Sequence, residues 1–244
     1  HLHFYIIIMK HDIVCRLNDL ASQAEPFIFV INYNGTKAYI KRLSEIDSSE
    51  CLYDFESMTN TTKQPNPKSS YKLTKWEVKM PMKKDYKKSF DIVKSNILKG
   101  NSYLVNLTCK VAVDCNLNFQ DIFFRAKSKY KILLKESHYR QFVCFSPETF
   151  VKIKNGRIFS YPMKGTIDAH IPNAQNVLIG DEKEAAEHAT IVDLIRNDLS
   201  KVAEQVIVER YRYVDTLHTN HGDILQTSSE VSGKLPTNYQ THIG

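Results

Sequence analysis

The chain has 244 residues, with 33 Lys and Arg against 27 Asp and Glu, for a formal charge of +6. Apolar residues at 42% and charged residues at 25% are globular proportions and exclude wholesale disorder, while 8 Gly and 8 Pro exclude a collagen-like or low-complexity chain. One or two domains with a real core are expected at this length.

In chain order, the apolar run Phe4–Met9 is too short to span a bilayer and has no small-residue cleavage site after it. It reads as a buried strand or as sequence upstream of Met9. No later apolar stretch is long enough to span, so no membrane partner is expected. Residues 15–24 suit a short helix ended by Pro26, and Phe27–Ile31 reads as a strand. Asn34-Gly35 is a type I′ turn pair, with Lys37–Ile40 returning as the second strand. The polar, Pro-containing stretch 56–70 is the best loop, and it separates an N-terminal part, residues 1–70, from the remainder, 71–244.

Seven lysines between Lys72 and Lys88 surround Trp76 and Tyr86. A nucleic-acid site would want such a stretch, but no recognised binding signature accompanies it, and a solvated face is the plainer reading. Tyr86, Phe90, Val93 and Ile97 repeat at helical spacing, with Gly100 as a C-cap candidate. Residues 103–113 alternate as a half-buried strand would. A helix is expected over 119–130, and strands near 141–145 and 150–154. A second pair, Asn155-Gly156, turns the chain into Arg157–Tyr161.

Asp181, with Glu184 three residues on, has capping-box spacing. It opens a long helix with the apolar stripe Ile191, Leu194, Ile195, Leu199 and Val202. Strands near 206–215 and 224–234 follow. Mixed helices and strands with Asn-Gly hairpins predict an α+β fold with antiparallel sheets. The five cysteines are odd in number and lack C-x-x-C spacing, so they read as free thiols in a reducing cytoplasm.

Two constellations carry chemistry. If the pairing around Asn155-Gly156 continued symmetrically, Glu148 would fall opposite Met163, one step from Lys164, within roughly 5–8 Å of the lysine. An acid beside an amine suits acid–base or nucleophilic work; a strand-end salt bridge is the simpler alternative. Glu184 and Glu187, at i and i+3, share a helix face. They could hold Mg²⁺ through oxygen ligands or simply complement the helix dipole.

Ser146-Pro147-Glu148, Tyr161-Pro-Met-Lys-Gly-Thr166, the segment from Asp181 to His188, and Ile191-Val-Asp-Leu-Ile-Arg-Asn-Asp-Leu199 occur in order. They resemble the S-P-E, P-I-K-G-T, K-E-x-x-E-H and I-V-D-L-x-R-N-D-L blocks of chorismate-utilising enzymes. Gly100–Thr108 resembles that family's G-D-x-Y-Q-x-N-L-T strand, with Asn101 in place of Asp.

Lysine at 164, where anthranilate and isochorismate synthases typically carry alanine, resembles the aminodeoxychorismate synthase component I branch. The resemblance implies amination of chorismate at C4 with ammonia from a glutamine amidotransferase partner. It implies Lys164 as nucleophile at ring carbon C2, Glu148 as the acid for the C4 hydroxyl, and Gly165, Thr166 and Gln226 at the substrate. It further implies Mg²⁺ held by Glu187 with Glu184. Gln226 stands where many members carry histidine, so it can hydrogen-bond but not titrate. The resemblance also implies that the family's Gly-Ala-Pro-Lys block and further glutamates would follow Gly244, so the chain reads as C-terminally truncated and inactive alone. Anthranilate synthase, or a non-catalytic fragment that binds the amidotransferase, are the alternatives.

Overall fold

The structure is a computed structural model that describes residues 9–56, 58–61, 75–102, 105–135 and 141–243. The expected strand at Phe4–Ile8, most of the loop 56–70, Lys72, and Tyr103-Leu104 lie outside the described residues.

In chain order the elements begin with α1 (His11–Ser22), β1 (Phe27–Ile31), β2 (Ala38–Arg42), β3 (Cys51–Phe55) and β4 (Met58–Thr59). Next come β5 (Trp76–Lys79), α2 (Lys83–Leu98), β6 (Ala112–Cys115) and α3 (Phe119–Arg125). β7 (Tyr130–Leu134), β8 (Phe142–Ser146), β9 (Lys152–Lys154), β10 (Arg157–Ser160) and β11 (Met163–Asp168) follow. The chain closes with α4 (Ala174–Gly180), α5 (Glu182–Leu199), β12 (Glu204–Thr219) and β13 (Gly222–Lys234). Every described strand pairing is antiparallel, so the fold is α+β as the sequence predicts. No helix among the described residues is long and apolar enough to cross a membrane.

Two compact units emerge: His1–Thr62 with Arg125–Gly244, and Lys63–Phe124. The sequence reading set 1–70 apart, whereas here the N-terminal segment is built into the larger unit. β3 pairs β7, and Cys51, Tyr53, Ile132 and Leu134 share one core with Ile28 and Tyr39. Burial pushes the Cys51 thiol up to about 11, so it remains a neutral core group.

In the smaller unit, β5 pairs β6 and α2 carries the expected stripe, but no described residue of α2 is buried; Tyr86 and Phe90 stay exposed. The alternating run also departs from expectation. Residues 105–111 form no strand, and pairing begins only at Ala112, where β5 supplies a partner. Alternation records which side chains could be buried, but a strand also needs a neighbour for its backbone groups. Similarly, the helix expected over 119–130 stops at Arg125, because Tyr130–Leu134 is taken up between β3 and β8.

The two Asn-Gly pairs behave differently. At Asn155-Gly156 both residues have positive φ, +53° and +71°, and Lys154 pairs Arg157, giving the two-residue turn expected. At Asn34-Gly35 the strands end at Ile31 and Ala38, leaving a wider loop. There the Asn32 side chain accepts hydrogen bonds from the Thr36 and Lys37 amides, an Asx arrangement that replaces the tight turn.

β13 organises the second sheet. β12 runs along one edge, and β11 and β10 share the other. Ser160 pairs Val231 and Met163 pairs Ser228, so β10 and β11 keep a single register across Tyr161-Pro162. The Ser229 amide donates to the Pro162 carbonyl at 3.0 Å, bridging the place where proline cannot donate. α5 packs on this sheet through Val192 and Leu199, which join Ile158, Ala203, Val231 and Leu235 in a second core. Of the expected stripe, Leu194 and Val202 are exposed, because the face turned to the sheet runs through His188, Val192, Ile195 and Leu199.

Candidate active site

Lys164 and Gly165 sit at the single irregularity of the β11–β13 ladder. Lys164 pairs Thr227, Thr166 pairs Gln226, and Gly165 is the extra residue of a bulge. Gly165 has φ +73°, the left-handed region that glycine occupies without steric cost. The Thr227 hydroxyl donates to the Lys164 carbonyl and closes the bulge from the partner strand.

The bulge sorts the sequence-predicted residues by face. Opposed residues in an antiparallel ladder project to the same side, and neighbours along a strand alternate. Lys164 therefore shares a face with Thr227, and Thr166 shares the other face with Gln226. A β-carbon on Gly165 would stand 3.3 Å from Glu184 Oε2, 3.3 Å from Leu178 Cδ1 and 3.4 Å from Thr227 Oγ1. The Glu184 carboxylate thus lies against the bulge backbone, on the side covered by α4 and α5. On the opposite side, Gln226 Oε1 and Ser228 Oγ are buried without a hydrogen-bond partner among the described residues.

Asp181 caps α5 as expected: its side chain accepts from the Glu184 amide at 2.9 Å. The Glu184 side chain itself turns toward Gly165. Glu187 lies one turn on, and the Lys183 ammonium reaches both carboxylates, at 3.7 Å to Glu184 and 3.2 Å to Glu187. These two acids, Glu187 first, raise the Lys183 pKa. Two carboxylates on one face are donors of the hard-oxygen class that Mg²⁺ accepts with several waters. The mostly exposed Lys183 would have to swing aside for the ion. No group of three metal-binding side chains forms among the described residues.

Glu148 lies outside the ladder that carries Lys164. The β9–β10 ladder ends at Lys152–Phe159, short of the Glu148–Met163 pairing expected from symmetry. β13 pairs both β10 and β11 along the opposite edge, and beyond Lys152 the described pairings do not extend the β9 side of the hairpin to Met163. Glu148 is exposed in the loop after β8, where its amide donates to Ser146 Oγ at 3.0 Å.

Three residues stand behind the site: His188, which the sequence offered only as part of a motif block, and Ser229 and Arg212, which sequence reasoning missed. His188 is fully buried, with Nε2 2.6 Å from Ser229 Oγ. Burial, and then the positive charge of Arg212, lower its pKa, so the ring is neutral. Its Nδ1 has no partner among the described residues. Ser229 Oγ also accepts from the Arg212 amide at 2.8 Å. The Arg212 guanidinium donates to the carbonyls of Ile179 at 3.0 Å, and of Leu178 and Asp181 at 3.2 Å each. For Ser229 the sequence signal was Gln226-Thr-Ser-Ser229, a polar run in the middle of an otherwise strand-like segment.

Residues 21–242 match the chorismate binding enzyme family, and the chain belongs to it. Among curated relatives, an uncharacterized PabA-like protein of Haemophilus influenzae is 44% identical over 236 residues, which is 97% of this chain and 69% of that one. Aminodeoxychorismate synthase component 1 of Bacillus subtilis is 25% identical, over 89% of this chain and 46% of that one. Among solved structures, a Bacillus anthracis protein described as a 2,3-dihydroxybenzoate-specific isochorismate synthase, DhbC, superposes with TM-score 0.53 at 16% identity, covering 95% of this chain and 64% of that one. Anthranilate synthase component I of Streptococcus pneumoniae gives TM-score 0.52 at 21% identity, covering 74% of this chain and 43% of that one. The chain spans less than two thirds of either solved structure, and at these identities they bear on the fold alone.

Proposed function

We propose that this chain acts on chorismate as component I of an aminodeoxychorismate synthase, with ammonia supplied from glutamine by an amidotransferase partner. The observation that carries this reading is Lys164 on the bulged strand, with the Glu184 carboxylate against the adjacent Gly165. An amine held on a strand beside a helix that presents acids suits attack on an anionic, electron-poor ring. In this reading the neutral Lys164 amine bonds to ring carbon C2, the ring double bonds shift, and the C4 hydroxyl leaves as water after taking a proton from Glu148. Ammonia then bonds to C4, the double bonds shift back, and Lys164 departs as the free amine. Glu187 and Glu184 would hold Mg²⁺, which supplies charge neutralisation for the substrate carboxylate. Thr166 and Gln226 belong to the substrate site only if the ligand reaches the second face of the sheet.

The test is product analysis of the full-length protein that contains this chain, with chorismate, Mg²⁺ and an ammonium salt, by chromatography with mass detection. 4-Amino-4-deoxychorismate is expected, and Lys164→Ala should reduce its formation by at least about 10³-fold, as loss of a covalent nucleophile does. Anthranilate or isochorismate as the sole product, or undiminished amination by Lys164→Ala, would refute the assignment.

A further inference from the structure

We infer that Arg212 is a positioning residue: its guanidinium ties down the α4–α5 corner and thereby holds Glu184 against the Gly165 bulge beside Lys164. This rests on reading Lys164 and Glu184 as parts of one site. Arg212 lies where β12 slips register between the Arg210–Glu230 and Tyr213–Ser228 pairs. Its φ is +49°, a conformation that non-glycine residues keep only when their surroundings hold them.

The surroundings are specific. The amide is fixed by Ser229 on β13, and the guanidinium collects carbonyls at the end of α4 and the start of α5. The positive charge also complements the carbonyl end of α4. Asp181, whose carbonyl Arg212 holds, is the residue that caps the Glu184 amide. One turn beyond Glu184, His188 is fastened to the same Ser229 hydroxyl that receives the Arg212 amide. The turn of α5 carrying Glu184 and Glu187 is therefore anchored to the sheet at both ends, and Arg212 and Ser229 join the two anchors. A lysine would not reproduce this, because its three donors radiate from one nitrogen, whereas the planar guanidinium reaches these carbonyls from two separate nitrogens.

The experiment compares wild type, Arg212→Lys and Arg212→Gln as full chains, with Mn²⁺ as the probe ion. Electron paramagnetic resonance measures Mn²⁺ affinity, and hydrogen exchange measures protection of the amides from Glu184 to His188. Both variants should bind Mn²⁺ about tenfold more weakly, as loss of a supporting contact does at metal sites. Exchange across Glu184–His188 should accelerate while β1–β3 keeps its protection. A merely structural role would lower stability without changing the affinity of the folded protein. If Arg212→Gln does not fold, Arg212→Lys decides. Unchanged affinity and unchanged exchange in folded Arg212→Lys would overturn the inference. If wild type binds no Mn²⁺, the metal reading fails by itself, and the exchange comparison alone supports or overturns the role of Arg212.

Discussion

Gly165→Ala separates backbone strain from crowding at the bulge. Alanine at φ +73° carries about 1–2 kcal/mol of left-handed strain. Stiffening of the unfolded chain offsets about 0.4–1 kcal/mol of it. The new methyl would also meet Glu184 Oε2, Leu178 Cδ1 and Thr227 Oγ1 at 3.3–3.4 Å, so each neighbour must give by tenths of an ångström. Mild overpacking of this kind adds about 1 kcal/mol.

Gly156→Ala is the internal control, because it has nearly the same φ, +71°, and nothing within 4 Å. The expected losses are therefore about 2 kcal/mol for Gly165→Ala and about 1 kcal/mol for Gly156→Ala. For a chain of this size that corresponds to a fall in Tm of about 4–8 °C against about 2–4 °C. Thermal and urea unfolding measure the difference, and chorismate turnover supplies a second readout. Because one of the three crowded atoms is the Glu184 carboxylate, Gly165→Ala should also lose activity that Gly156→Ala keeps. Equal losses of stability and of activity in the two variants would show that Glu184 does not lie against the bulge.

Two further outcomes test the surroundings. His188 has a folded-state pKa below its ordinary value of 6.5, so the unfolded chain binds more protons just below that pH. Its contribution to stability is fully present above about 6.5 and is lost as pH falls toward the folded-state value, with a slope of at most about 1.4 kcal/mol per pH unit. Urea unfolding across this window should show that slope in wild type but not in His188→Asn; the same slope in both would exclude the buried neutral ring as its source. Gly233→Ala would place a methyl 2.8 Å from Ala203 Cβ and 3.1 Å from Val206 Cγ2 in the second core. It should lower the urea midpoint by the equivalent of about 1–3 kcal/mol, and an unchanged midpoint would mean that β12 and β13 are not in such close contact there.

Local chemistry was legible in the sequence where it was self-sufficient. Asn155-Gly156 determined its own turn, Asp181 its own cap, and the β12–β13 pair followed from two strand-like segments near in sequence. What escaped depended on partners far along the chain. Residues 105–111 alternate well but pair with no strand among the described residues, whereas Tyr130–Leu134 alternates poorly and is a strand because β3 and β8 flank it. The symmetry argument for Glu148 and Lys164 held as far as Phe159, where the β9–β10 ladder ends; Pro162, which has no N–H to donate, follows three residues on. The candidate site was half legible. Lys164, Gly165, Glu184 and Glu187 were recognisable as motif residues. Arg212 was not, because nothing about an arginine in a strand reveals which distant carbonyls it will meet.

The shared register of β10 and β11 on β13 has a consequence for changes in chain length. Between Arg157 and Lys164 the offset is fixed to the residue, even across Pro162. An insertion there would shift the register between the insertion and the bulge and turn the intervening side chains to the opposite face. The exposed turn at His170–Asn173 carries no such constraint and can lengthen without reaching the sheet. Gly165 is the one position in this stretch where an extra residue is already accommodated. Because of it, Lys164 and Thr166, two apart in sequence, are delivered to opposite sides of the sheet.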